Sequence, residues 1–250
     1  MSNYFYVFDS FLQEPKYRSE LIKIETRLAT LGIHGRAEKI TILKNIQEAV
    51  REAIKRGTET IVVVGNDKTV SKILPEIVDH QVMLGLIPLG EPITIATDLG
   101  IPAGATACDV LSRRVVKALD LGKANSHYFI LQVTAPAGAQ ILCDGKYTVQ
   151  SLDPAGTMVI NNLGRYDRVT NPTDGRLEII VPGRTSGRGW FSRGSAAQAS
   201  SVFAVKKARV TGDHAASSLI LDGQVVVKTP ITIEAVPRKL KIIVGPHRSF

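Results

Sequence analysis

Cysteine is scarce in this chain of 250 residues, which has two, Cys108 and Cys143. Two thiols without a Cys/His spacing form neither a disulfide framework nor a metal site, so a reducing compartment is expected and both read as small apolar core residues. Aromatic residues make up 6% and Trp190 is the single tryptophan. With no recognised nucleic-acid motif either, a nucleic-acid partner is not expected. No apolar run approaches the roughly 20 residues that a membrane-spanning helix needs, and the first residues lack a basic stretch followed by an apolar one. The expected location is cytoplasmic, at most peripheral to a membrane. Internal repeats and low-complexity tracts are also missing.

Acidic residues are in deficit. The 31 lysines and arginines against 23 aspartates and glutamates leave a formal net charge of +8, which favours anionic partners such as nucleotides or lipid headgroups. A hydrophobic share of 44% and a charged share of 22% exclude disorder and suffice for one large or two modest cores.

What is present begins with a β-branched run, Ile61-Val62-Val63-Val64, that ends in the turn Gly65-Asn66-Asp67-Lys68-Thr69 and opens into an apolar-periodic helix. α/β proteins bind phosphates at such places. A strand at 4–7, helices at 16–31 and 45–56, a strand at 60–64, a crossover helix at 70–78 and a strand at 82–88 complete the pattern, with Gly57 capping the second helix. Residues 109–119 read as a further helix, with Val110, Leu111, Val115 and Leu119 inward and Arg113, Arg114 and Lys117 outward. After Leu121 the pattern changes to short alternating segments at 127–133, 140–144, 147–152, 157–161 and 177–181. Asp144-Gly145, Asp174-Gly175 and Asp222-Gly223 punctuate the chain, which predicts a β-sandwich with hairpins. The organisation expected is an α/β domain over 1–122 and a mainly β sandwich over 123–250, its closing segment returning to the first domain.

Gly65-Asn66-Asp67-Lys68-Thr69 and Ile87-Pro88-Leu89-Gly90-Glu91-Pro92-Ile93-Thr94 resemble the G-G-D-G-T and I-P-x-G-T-x-N-D motifs of the diacylglycerol-kinase catalytic domain. Leu99-Gly100-Ile101-Pro102 is similar to its L-G-I-P, and Asp120-Leu121-Gly122 with Tyr128-Phe129 to its D-L-G and Y-F. Asp174-Gly175-Arg176-Leu177 is similar to its D-G-x-L strand entry, Leu221-Asp222-Gly223-Gln224 to its D-G-E turn, and 237–246 to its closing strand. Matches in the family's order make the resemblance specific. Phe8-Asp9-Ser10 stands where the family has N-P-x-x-G, so the opening loop is altered. The resemblance implies a Rossmann-like domain of the diacylglycerol/NAD-kinase type, a site in the cleft before the sandwich, ATP and Mg as cofactors, and phosphoryl transfer to a lipid hydroxyl.

By the same resemblance, Gly65, Asn66, Asp67, Lys68, Thr69 and Gly90 hold the nucleotide, Asp67 holds magnesium and Asp222 is the base. Asn66 replaces a glycine with the residue that best tolerates the left-handed region. Lys68 either blocks the phosphate or binds it as a point charge. Glu91 adds negative charge beside a polyphosphate, and Ile93 cannot hydrogen-bond a nucleotide or metal. Gln224 stands for a glutamate and cannot accept a proton. Asp98 is a shifted carboxylate or a solvated helix residue. Asp67 and Thr69 also read as helix caps, and Asp222-Gly223 as a plain hairpin turn. Arg184, Arg188, Trp190, Phe191 and Arg193 either meet a lipid headgroup layer or begin a packed helix running toward Val205. Two functions follow: an ATP-dependent lipid kinase whose activity is intact, weakened or lost, or a non-catalytic relative that binds a lipid or a nucleotide. A nicotinamide-dinucleotide kinase shares the G-G-D-G-T logic but ranks lower, because L-G-I-P and the later motifs follow the lipid branch.

Overall fold

Parallel strands frame the first of two units in the computed structural model, which describes residues 3–41, 44–153, 156–164, 170–183, 200–212 and 217–250. That unit comprises Met1–Leu119 with Arg238–Phe250, and the second Asp120–Pro237. The first unit holds β1 (Tyr4–Phe8), β2 (Gly35–Lys39), β3 (Thr60–Gly65) and β4 (Met83–Pro88), in the order β2-β1-β3-β4. Every residue of β1 and β3 is buried, as the continuous apolar runs of a sheet covered on both faces require. Strand β2, of sequence GRAEK, lies at the edge with four of its five residues exposed; its polar character hides it from periodicity.

Helix α1 (Arg18–Thr30) leads from β1 to β2, α2 (Ile46–Lys55) from β2 to β3, and α3 (Asp67–His80) from β3 to β4. Asn45 caps α2 by accepting the N–H groups of Gln47 and Glu48. From β1 the chain goes first to one side and then to the other. In doubly wound sheets the ligand crevice lies past the carboxyl ends of the strands at that reversal, here after Phe8 and Gly65.

Two short helices follow, α4 (Thr94–Asp98) and α5 (Ala107–Arg113). The helix expected over 109–119 stops early. Arg114 takes φ +49 and closes α5, and β5 (Val116–Ala124) begins two residues later. Val115 and Val116 are exposed, so no apolar helix face exists there, and their β-branched side chains favour extended backbone. Both cysteines are buried thiols, and burial pushes Cys108 up to about 11, as suits an inert core residue.

The second unit is antiparallel. After the β5–β6 (His127–Phe129) hairpin, six strands pair in the order β12 (Ser201–Val205), β11 (Leu177–Val181), β10 (Met158–Asn161), β7 (Gln132–Ala135), β14 (Ser218–Leu221) and β15 (Val225–Lys228). In the other sheet β13 (Lys207–Thr211) lies between the first part of β16 (Ile231–Ile243) and β8 (Gln140–Cys143), and β9 (Tyr147–Gln150) pairs with β8. Ile141, Val210 and Ile233 from one sheet and Ile160, Ile179 and Leu219 from the other bury one apolar cluster, the core of a sandwich. The segment expected as one strand over 127–133 divides into β6 and β7. Residues 201–205, expected in a helix, form β12, whose register with β11 is fixed from Leu177↔Val205 to Val181↔Ser201. Asp144-Gly145 and Asp222-Gly223 occupy positive φ of +48/+68 and +47/+67, the two central positions of the primed turns that join antiparallel strands.

Candidate functional site

The turn after β3 closes on itself. Asn66 caps α3 from extended backbone, at φ −118 and ψ −175, not from the left-handed region expected of it, because the helix starts at the very next residue. Its Oδ1 accepts the Thr69 N–H at 3.2 Å, and Thr69 Oγ1 accepts the Asn66 N–H at 3.2 Å. The pair is a reciprocal capping box. Thr69 donates its hydroxyl to Asp9 Oδ2 at 2.7 Å. Asp9, only 5% exposed, also faces Lys72 Nζ at 3.6 Å. The altered opening loop therefore supplies an acid that braces the turn, a partnership 60 residues apart that no local pattern announces.

The remaining donors reach the segment after β4. Asp67 N–H donates to the Pro92 carbonyl at 2.8 Å and Asn66 Nδ2 to the Glu91 carbonyl at 2.9 Å. In return, the Asp67 carboxylate accepts the N–H groups of Thr94 at 2.7 Å and Ile95 at 3.1 Å. It thus caps α4, whose own N-cap, Ile93, has no side-chain acceptor. Asp67 is 4% exposed, and burial pushes its carboxyl above its ordinary value, opposed by those two hydrogen bonds. The N–H groups of Asn66, Asp67 and Thr69 all have acceptors inside the protein, so most of the donors that a helix start offers to an anion are taken.

The two glycines serve packing. A Cβ on Gly65 would lie 2.5 Å from Thr69 Oγ1, so this glycine makes room for the hydroxyl that braces Asp9. Gly90 takes φ +79 and lies against the Phe11 ring, 2.7 Å from where a Cβ would be. The space between Gly65, Asp67, Leu86 and Ile93 amounts to about 10 Å³, at the lower limit for a single water. Lys68 is exposed on the first turn of α3, as is Glu91 just after Gly90. Asp98 is 4% exposed, a buried residue and not the solvated one expected as an alternative. A larger cavity, of about 540 Å³, adjoins Asp9 and is bounded by Leu12, Arg18, Leu21 and Lys39; sequence reasoning missed it, although an aspartate ending an apolar strand was a signal.

Asp222 belongs to the second unit. Its carboxylate accepts three backbone N–H groups, from Ile130 at 2.8 Å and from Leu131 and Gln132 at 2.9 Å. Asp144 does the same in the other sheet, accepting Lys206 N–H at 3.0 Å and Lys207 N–H at 2.8 Å. In both hairpins the aspartate of the Asp-Gly turn clamps a neighbouring strand. Gln224 donates its backbone N–H to Leu221, closing the turn. Arg184, Arg188, Trp190, Phe191 and Arg193 lie outside the described residues.

Magnesium needs free carboxylate oxygens and a polyphosphate needs free donors. Both oxygens of Asp67 are engaged by N–H groups, and among the described residues no group of three or more His, Cys, Asp or Glu is placed to hold a metal. At this turn the Asp67 oxygens and three of the backbone N–H groups are already engaged within the protein. Among the described residues, no helix is long and apolar enough to cross a membrane.

The chain has a doubly wound parallel unit, with a strand-to-helix turn at the winding reversal, and an antiparallel two-sheet unit. Residues 14–124 match the diacylglycerol kinase catalytic domain. Diacylglycerol kinase of Bacillus subtilis (strain 168) is 26% identical over 118 residues, 46% of this chain and 39% of that protein. A probable lipid kinase YegS-like of Yersinia enterocolitica is 31% identical over 144 residues, 54% of this chain and 46% of that protein. The chain thus spans less than half the length of these curated relatives. Among solved structures, a diacylglycerol kinase from Bacillus anthracis str. Sterne superposes with a TM-score of 0.80 at 18% identity, over 98% of this chain and 97% of the other. A putative diacylglycerol kinase from the same source gives 0.79 at 18%, over 98% of both chains. These similarities establish the fold.

Proposed function

We propose that this chain is a non-catalytic member of the diacylglycerol kinase catalytic-domain family, a lipid-binding homologue in which the phosphate-binding turn has become an internal brace. One observation carries the reading: Asp67 gives its N–H to Pro92 and its carboxylate to Thr94 and Ile95, so the two groups a nucleotide and its metal need are used for folding. The three N–H groups on Asp222 support the same conversion of a base into a clamp. The net charge of +8 favours an anionic lipid surface, and the basic aromatic segment around Trp190 is its contact in this reading, tested by co-sedimentation with anionic liposomes before and after Trp190→Ala. Calorimetric titration with ATP and ADP, with and without magnesium, tests the central claim, alongside phosphate transfer to diacylglycerol in mixed micelles. No heat at millimolar nucleotide and no transfer are expected.

The second reading is favoured by the match of residues 14–124 to the diacylglycerol kinase catalytic domain. It is an ATP- and Mg-dependent lipid kinase with Gly65, Asn66, Asp67, Lys68, Thr69 and Gly90 at the nucleotide, Asp67 at the metal and Asp222 orienting the acceptor hydroxyl. Magnesium-dependent binding that disappears in Asp67→Ala establishes this reading and removes the first.

A further inference from the structure

A second cavity in the first unit, of about 490 Å³, is bounded by α4, the 100–106 segment, α5 and the chain after β16. Its size lies within the range of small-ligand sites. The backbone holds it open. Gly100 takes φ +68 and packs so closely on the C-terminal segment that a Cβ would lie 2.5 Å from Arg248 N. Gly245 N–H bonds to the Leu99 carbonyl and Ser249 N–H to the Asp98 carbonyl, each at 2.8 Å. On the opposite side, Ala105 N–H donates to Glu20 Oε1 at 3.0 Å and anchors the 100–106 segment to α1.

The polar groups around this cavity sort cleanly. Thr97 donates its hydroxyl to the Ile93 carbonyl and Thr106 to the Ala103 carbonyl, each at 2.9 Å. Asp109 is ion-paired with Arg27. What remains is the Arg113 guanidinium and the His247 imidazole, both exposed at the rim. Among the described residues, Arg113 has no ion-pair partner, while Ile101, Val110 and Pro246 supply apolar wall. A cationic rim over an apolar wall is complementary to an anion that carries a hydrocarbon part, because guanidinium forks onto carboxylate or phosphate oxygens while the tail leaves water.

We propose that this cavity binds a small amphipathic anion, a medium-chain acyl carboxylate, with its head on Arg113 and its tail along Ile101, Val110 and Pro246. The site includes no residue of the 65–69 turn and stands whether or not the chain turns over a nucleotide. The test is calorimetry of the full chain with sodium decanoate below its micellar concentration, with inorganic phosphate as the head-only probe. Two variants are used: Arg113→Gln, which removes the charge, and Ala103→Trp, which fills the cavity from an exposed wall position. Circular dichroism confirms that each variant is folded. Saturable one-to-one decanoate binding, weakened roughly tenfold or more by either variant, with no binding of phosphate, is the expected result. Absence of decanoate binding, or binding indifferent to both variants, overturns the proposal. Phosphate binding lost in Arg113→Gln but kept in Ala103→Trp overturns it too, reducing the site to a surface anion contact.

Discussion

In the non-catalytic reading proposed above, Asp67 is a residue moved from chemistry to architecture. It sits at the first position of α3 and its carboxylate caps a different helix, α4. Replacing it by alanine leaves two N–H groups, one of them buried, without an acceptor, at a cost of about 2–4 kcal/mol. Urea unfolding measures this, and unchanged stability would remove the capping role. The pH dependence has a definite sign. Because burial raises the native carboxyl value, native Asp67 holds its proton more readily than unfolded Asp67 does. The stability this contributes is present below the unfolded value near pH 4 and is lost as pH rises through the raised native value. Stability of the wild type relative to Asp67→Asn should therefore fall across that window. Gly65→Ala is expected to cost about 1–3 kcal/mol through overpacking against Thr69 Oγ1, with no contribution from φ, since Gly65 is part of a strand; differential scanning calorimetry reads it as a lowered Tm.

At the scale of elements, the two Asp-Gly hairpins form one device used twice. The Asp222 carboxylate receives three N–H groups and that of Asp144 two more exposed ones. Asp222→Ala should cost about 2–4 kcal/mol and Asp144→Ala about 1 kcal/mol, with faster amide exchange at Ile130, Leu131 and Gln132 in the first variant alone. Equal, negligible effects would mean that the carboxylates do not clamp their strands. Both turns were legible in sequence because Asp-Gly encodes positive φ locally. Elements without a local signature were not. Strand β2 is an edge whose polar face satisfies no alternation, and the helix expected to 119 overran because Val115 and Leu119 fall at helical spacing while Val115 and Val116 are exposed.

For the whole molecule, ligand linkage is the decisive observable. A ligand present at 100 times its Kd stabilises the folded state by about 2.7 kcal/mol, so millimolar MgATP should raise Tm by several degrees if the turn binds it. No shift is expected here. Anionic vesicles should retain the chain at low ionic strength and release it as salt rises, since a charge of +8 acts through a screened field. Vesicle binding that ignores salt would transfer the membrane reading from charge to apolar insertion. The sequence by itself determined the α/β and antiparallel β parts and the resemblance to a family, because apolar runs, turn residues and motif order are written in neighbouring positions. Only the tertiary structure decided which groups the motif residues bond to. The acceptors and donors that close the 65–69 turn come from Asp9 on one side and from the 91–95 segment on the other, 60 and 25 to 28 residues away. Whether a helix start is open to an anion or filled by its own chain depends on which distant groups the fold delivers to it.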